Sequence, residues 1–185
     1  YKEIIEIVCR LYVFFFLTLY GLGKLIGGQF YSAETMPEGL DLIPIGQVSD
    51  FDLAWVFMGR SFGYMLFIGL AEIFGALLLL FNKTNLIGAF ILIPIMVNVI
   101  VFDIFFLDEY GALAGAILYL LMLLTILVIN KEKISKLLME LVSTKKGSKI
   151  TFKEKLIKYS IVLVIIILIF TGDQLIVNFF GYGKG

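Results

Sequence analysis

Five long apolar stretches, 4–28, 53–81, 84–107, 110–130 and 159–180, take up most of this chain, and the charges between them are sorted by sign. Each stretch is long enough to cross a hydrocarbon core about 30 Å thick, which takes roughly 20 residues of helix. No water satisfies backbone groups in that core, so apolar runs of this length cross it as helices. The expected fold is an all-α membrane protein: a four-helix transmembrane bundle plus a fifth C-terminal transmembrane helix.

The sorting of charge sets an expected orientation. Segment 131–158 carries nine Lys against three Glu, whereas 29–52 carries five acids and no Lys or Arg. Lys-rich connections stay on the cytoplasmic side. That puts 131–158 inside, 29–52 outside, the N-terminus inside and the C-terminus outside. The short connections agree, with Asn82-Lys83-Thr84 inside and Asp108-Glu109 outside. The organisation read from this is a bundle over 1–130 with an external loop or cap at 29–52, a basic cytoplasmic amphipathic linker over 131–158, and a fifth span with a short external tail over 159–185.

Composition narrows the function classes. Of 185 residues 61% are hydrophobic and 16% charged, against about a quarter charged in a soluble domain. The Lys-rich segment is explained by topology, so no nucleic-acid partner is expected. The chain has no His, which removes His-liganded haem, a His-based zinc site and a His general base. Cys9 is the single cysteine; a disulfide or dithiol relay within the chain needs two, and Cys9 reads as a small packing residue. No metal site and no catalytic residue is read. Thirteen Lys against two Arg, with abundant Ile, point to an AT-rich bacterial genome and hence to a bacterial cytoplasmic (inner) membrane. The chain begins at Tyr1, so residues are expected to precede it. Its first span is longer than a signal-peptide core, and Glu3 and Glu6 stand where positive charge belongs.

Local patterns refine the spans. Gly23 and Gly27 form a small-xxx-small pair in the first, and Gly111, Ala112, Gly115 and Ala116 give the fourth a small-residue packing face. Pro37, Gly39, Pro44 and Gly46 make 29–52 a loop. Its apolar residues Phe30, Tyr31, Met36, Leu40, Leu42, Ile43 and Ile45 are expected to lie against the bundle. The second stretch is too long for one perpendicular span, and Arg60, Ser61 and Gly63 interrupt it. An interfacial or tilted segment to about 62, then a span to Phe81, is expected. Pro94 should kink the third span. Trp55 and Tyr110 read as interfacial anchors. Ile134, Leu137, Leu138 and Leu141 mark an amphipathic helix over 131–142, on the membrane surface, and 143–149 reads as a polar link.

Ionisable groups within the spans are costly unless paired or hydrated and are functional candidates. They are Lys24, Arg60, Glu72, Asp103 and Asp173, with Asn98 and Gln174 as neutral companions. At ~1.5 Å of rise per residue Glu72 lies ~14 Å, Asn98 ~21 Å and Asp103 ~28 Å from the cytoplasmic ends of their spans. All lie in the outer half, with Glu72 at its floor. The expectation is a polar cavity opening outward and closed below by an apolar cytoplasmic half. Glu72 is too short to snorkel from the midplane and has to be protonated, paired or wetted. Lys24, Arg60 and Asp103 also fit snorkelling to the interface, and Asp173 with Gln174 an end-of-span polar pair. The ligand-binding candidates are Glu72, Lys24, Arg60, Asn98, Asp103 and Tyr20, with Asp173 and Gln174 as additional cavity residues.

Two segments resemble a known family. Arg10 followed by Tyr20-Gly21-Leu22-Gly23-Lys24-Leu25 resembles the first helix of the DoxX-like membrane proteins. Ala71-Glu72-Ile73-Phe74-Gly75-Ala76-Leu77-Leu78-Leu79, with the span after it, resembles that family's Glu-x-x-Gly-x-x-Leu helix and the next. The resemblance covers roughly 7–130. It implies a four-helix membrane bundle, and an association in some relatives with quinone-linked oxidation of sulfur compounds or membrane redox complexes. Arg10, Lys24 and Glu72 match the pattern. The His found in some members at the end of the third helix has no counterpart; Asp103 stands in that neighbourhood. The fifth span and the 29–62 insert depart from the shortest members.

The leading expectation is a non-catalytic binding or accessory subunit whose outward cavity holds a lipophilic molecule with a polar head, a quinone or lipid. Quinone is the one cofactor considered, and a redox role would need a partner supplying electrons. The alternatives are a structural subunit bound to other membrane or envelope proteins, and a small transporter with Glu72 as a proton-sensitive gate. Topology is testable directly. Impermeant thiol labelling of cysteines placed at Ser143 and Gly183 should report opposite sides, and labelling from one side only would show that the segment after Lys158 does not cross.

Overall fold

The computed structural model describes residues 1–107, 110–142 and 152–180. Asp108 and Glu109, the link 143–149 and Tyr182 lie outside the described residues. Seven helices and no strand occur among those described: α1 (Lys2–Leu25), α2 (Asp50–Gly59), α3 (Phe62–Leu80), α4 (Asn85–Phe106), α5 (Tyr110–Ile129), α6 (Lys131–Val142) and α7 (Phe152–Phe180). Five of them, α1, α3, α4, α5 and α7, are long and apolar enough to cross a membrane. The fold class read from the sequence is the observed one, and the chain is a multi-pass membrane protein. It divides into two units, Tyr1–Leu137 and Leu138–Gly185.

In the first unit α1, α3, α4 and α5 form a closed ring: α1 packs on α3 and α5, and α4 packs on the same two. Val13, Leu17, Ala76, Leu79, Ala89, Leu92, Met96, Leu123 and Ile126 fill its centre. Phe67, Phe74, Phe90 and Val101 are exposed on the outside. Helices apolar all round are suited to this, with packing on one side and lipid on the other. α4 runs unbroken through Pro94.

Two serines divide the long second stretch. Ser49 caps α2, its Oγ accepting the Asp52 N–H, and Ser61 caps α3, accepting from Tyr64. A capped N-terminus at Ser61 starts a new helix rather than extending the old one, so the expected segment to about residue 62 is the separate helix α2. Phe30 and Phe51 pack on opposite contacts of Trp55, at ring-centroid distances of 5.3 and 4.3 Å. Trp55 therefore packs the start of the loop onto α2. The Tyr31 hydroxyl donates to Asp52 (3.3 Å); burial, and then the Asp52 charge, push this phenol above its usual range.

The rest of the loop lies differently from expectation. It turns through short 3-10 segments at Leu40–Leu42 and Ile45–Gln47. Leu42, Ile43 and Ile45 are exposed, while Phe30 is buried and Tyr31, Met36 and Leu40 are partly so. The start of the loop is held most firmly, by Phe30 on Trp55 and Tyr31 on Asp52.

In the second unit α7 starts at Phe152, seven residues before the apolar stretch, taking Lys153, Lys155 and Lys158 into helix. None of its described apolar side chains is buried. α6 is the expected amphipathic helix, beginning where the Asn130 carbonyl accepts from Lys133 and Ile134.

Glycine placement gives a test. A Cβ on Gly59 would overlap the Tyr31 carbonyl, whereas a Cβ on Gly23 would meet nothing within 4 Å. Alanine gains about 1 kcal/mol of helix propensity over glycine, but a clash with backbone costs roughly 1–3 kcal/mol. Gly23→Ala should therefore leave stability unchanged or slightly raised, and Gly59→Ala should lower it. Thermal melts followed by Trp55, the single tryptophan, should show the contrast.

Candidate functional site

The inward stripe of α1 is Arg10, Val13, Leu17, Gly21 and Lys24, residues three or four apart that share one helix face. Its facing stripe on α3 is Met65, Gly69, Glu72, Ala76 and Leu79. The helices meet backbone to backbone at Gly21 and Gly69. A Cβ on Gly21 would come 2.8 Å from the Gly69 carbonyl oxygen, and one on Gly69 would come 2.9 Å from that of Gly21. This glycine crossing corrects the expected Gly23 and Gly27 pair. A Cβ on Gly23 would meet nothing within 4 Å, and Gly27 lies beyond the helix with φ 76°. The expected small-residue face of α5 is corrected likewise, since only Ala116 of that set is buried.

At this crossing Lys24 and Glu72 meet. The Lys24 ammonium donates to both carboxylate oxygens of Glu72, at 3.0 and 2.7 Å. Lys24 is 6% exposed and Glu72 1%. The expectation that Glu72 faces the interior with an opposing charge is met in geometry. Asp103, three residues from the end of α4, is 5% exposed and within electrostatic reach of Lys24. No hydrogen bond or ion pair reaches its carboxylate among the described residues. The residue as a whole is buried, but among the described residues the enclosed side-chain atoms without a partner are Thr18 Oγ1 and Gln29 Oε1, not its carboxylate oxygens.

The remaining candidates do not join this group. Arg60 ends α2 with an exposed side chain, because the Ser61 cap turns the chain there. Asn98 is exposed on the outer face of α4, five residues and hence roughly 140° around the helix from Asp103. Tyr20 is 43% exposed and belongs to an aromatic stripe, Tyr12, Phe16 and Tyr20, that meets Tyr119 of α5 at ring-centroid distances of 6.2, 5.7 and 6.3 Å. Asp173 and Gln174 are exposed on α7 of the second unit. A groove of about 310 Å³ is lined by Ser49, Asp50 and Phe51 of α2 and by 104–107, and none of Lys24, Glu72 or Asp103 lines it.

A second polar cluster was not foreseen. Arg10 donates through Nε to the Leu79 carbonyl, through Nη2 to that of Leu80 (2.7 Å) and through Nη1 to Asn82 (2.7 Å). Glu6 lies 3.7 Å from Arg10 and accepts from Asn85 (2.6 Å). The guanidinium thus satisfies carbonyls left open at the end of α3. It sits ~21 Å along α1 from Lys24, so the expected uniformly apolar half is polar at its far end. The signal was available: Arg10 lies fourteen residues before Lys24 on the same stripe. Among the described residues no group of His, Cys, Asp and Glu is arranged to hold a metal ion.

Fold and site together describe a multi-pass α-helical membrane protein with a buried ion pair inside a four-helix ring. No family model matches the chain, and no solved structure matches it. The uncharacterized protein YwoB of Bacillus subtilis (strain 168) is 35% identical over 132 residues, 71% of this chain and 80% of that protein. The chain belongs to the family of YwoB.

Removing one partner of a buried pair strands the other and costs about 3–5 kcal/mol, whereas replacing both by apolar groups is close to neutral. Lys24→Met should therefore destabilise the bundle strongly, and adding Glu72→Leu should restore most of the loss. Denaturation of the purified variants in mixed micelles measures this. A double variant no more stable than Lys24→Met would show that the pair is not the main contact of these residues.

Proposed function

We propose that this chain is a DoxX-like protein of the bacterial cytoplasmic membrane, with its N-terminus inside and its C-terminus outside, acting as a non-catalytic binding or accessory subunit. In this reading the outer half of the ring receives a lipophilic molecule with a polar head, a quinone or a lipid, at Lys24, Glu72 and Asp103. The observation that supports it is the convergence of Lys24, Glu72 and Asp103 inside an apolar ring, an ion pair with a second carboxylate in electrostatic reach of its ammonium. Binding sites for such molecules combine apolar walls with a few convergent polar groups. Arg60 and Asn98 drop out of the site, and the loop 29–52 covers less of it than the sequence suggested.

A structural subunit is the second reading, favoured by the Lys24–Glu72 pair itself. Two charges that satisfy each other directly are a sufficient reason for both to be buried. The readings separate on ligand occupancy. Native mass spectrometry of the detergent-extracted chain should find a retained lipophile. Asp103→Asn, which keeps shape, removes charge and leaves the Lys24–Glu72 pair intact, should lower its retention by about one to two decades, the equivalent of one charged hydrogen bond. Unchanged retention in a folded Asp103→Asn protein, or no retained molecule at all, would favour the structural reading.

A further inference from the structure

α6 is apolar along one side, and that side is uncovered. None of its residues is buried, and Leu137, Leu138, Leu141 and Val142 are each more than half exposed. At about 100° of turn per residue, these four and Ile134 gather within about 140° of arc. The helix also begins where a span ends. α5 closes at Ile129, and the Asn130 carbonyl accepts the first bonds of α6, from Lys133 and Ile134. With one residue between the helices, the first turn of α6 stays at the level where α5 leaves the bilayer. An amphipathic helix at that level seats its apolar face between acyl chains and head groups.

Its charges are sorted by face. Lys131 falls inside the apolar arc, between Leu138 and Val142, and Lys133 about 40° beyond Leu137 at its edge. Glu132, Lys136 and Glu140 lie about 130–170° from the centre of the arc, on the opposite side. A lysine beside an apolar face reaches with its long stem up to the head groups. Among the described residues neither Lys131 nor Lys133 is ion-paired, and both are exposed. The edge turned to the bilayer is therefore purely cationic, and both acids of the helix face away from it.

We infer that α6 docks on the bilayer through anionic phospholipid, with Lys131 and Lys133 on the phosphates and the Ile134–Val142 face among the acyl chains. A zwitterionic head group carries a cation beside its phosphate and gives two lysines no net attraction, whereas an anionic leaflet attracts each of them. A second copy of this chain would bring the same lysines to the same apolar edge, like charge against like.

The test uses the full chain purified in dodecyl maltoside with phosphatidylglycerol and phosphatidylcholine at equal micellar fraction, and retained lipid read by native mass spectrometry. Phosphatidylglycerol should be retained in excess. Lys131→Gln with Lys133→Gln should lower that excess about fivefold for each lysine. Lys131→Arg with Lys133→Arg should keep it, and Lys136→Gln, on the far face, should leave it unchanged. Equal retention of the two lipids overturns the inference, as does an excess that survives the paired glutamine variant. A loss in Lys136→Gln as large as that from either edge lysine overturns the assignment to one face. A dimer retaining neither lipid would show that the face meets a second copy, and overturns it too. All three lysines are exposed, so these variants leave the packing of the ring untouched.

Discussion

The contact between Lys24 and Glu72 sets the geometry of the first unit. A charge in the middle of a ring of apolar helices is tolerated only where its partner is within hydrogen-bond distance. That requirement fixes the rotation of α1 and α3 about their axes and their register along each other. It also demands close approach, which Gly21 and Gly69 provide by letting each backbone meet the other's carbonyl oxygen. The two helices run antiparallel, so Lys24 and Glu72 lie on either side of the crossing: a Cβ on Gly69 would stand 3.3 Å from Lys24 Cβ, and the long lysine side chain reaches along the crossing to Glu72.

The other interfaces follow once that one is set. Arg10 closes the far end of the same pair by holding the carbonyls of Leu79 and Leu80, so α1 and α3 are pinned by polar contacts at two levels with Val13, Leu17 and Ala76 between. α4 joins through a second close approach, where a Cβ on Gly88 would lie 2.6 Å from the Gly75 carbonyl oxygen. α5 completes the ring differently, with Tyr119 laid against the Tyr12, Phe16 and Tyr20 stripe. Helices in lipid gain little from burying apolar surface against each other and rely on close packing and polar contacts. The α1–α3 interface has both, and the α3–α4 interface has close backbone approach.

Spans were legible in the sequence because their signal is length and hydropathy, which need no partner. The split at Ser61 and the amphipathic α6 were legible from local chemistry, a cap and a periodicity. Glu72 could be placed inside because a short carboxylate at mid-span has nowhere else to go. Asp103, Arg60 and Asn98 could not be sorted in that way. All three are polar residues toward one end of a span, and which of them turns inward depends on helix rotation. That rotation is set by the α1–α3 contact and passed on through α3 to α4. Gly23 and Gly27 had the spacing of a packing pair, as did the glycines and alanines of α5, but spacing does not say which face is presented. The stripe carrying Lys24 did say so, and following it back by fourteen residues reaches Arg10.

The two clusters bear alike on how the ring is held. If burying polar groups served only to align helices, each cluster would be expected to close on itself, as the one around Arg10 does. The cluster around Lys24 does the same, since Lys24 and Glu72 suffice for each other. Asp103 stands within electrostatic reach of that ammonium without a hydrogen bond to it, so the alignment of α1 and α3 does not depend on it. The same helix rotation that keeps Asn98 out of the interior brings Asp103 beside the pair, so the second carboxylate is a property of how the ring is assembled and not of α4 alone.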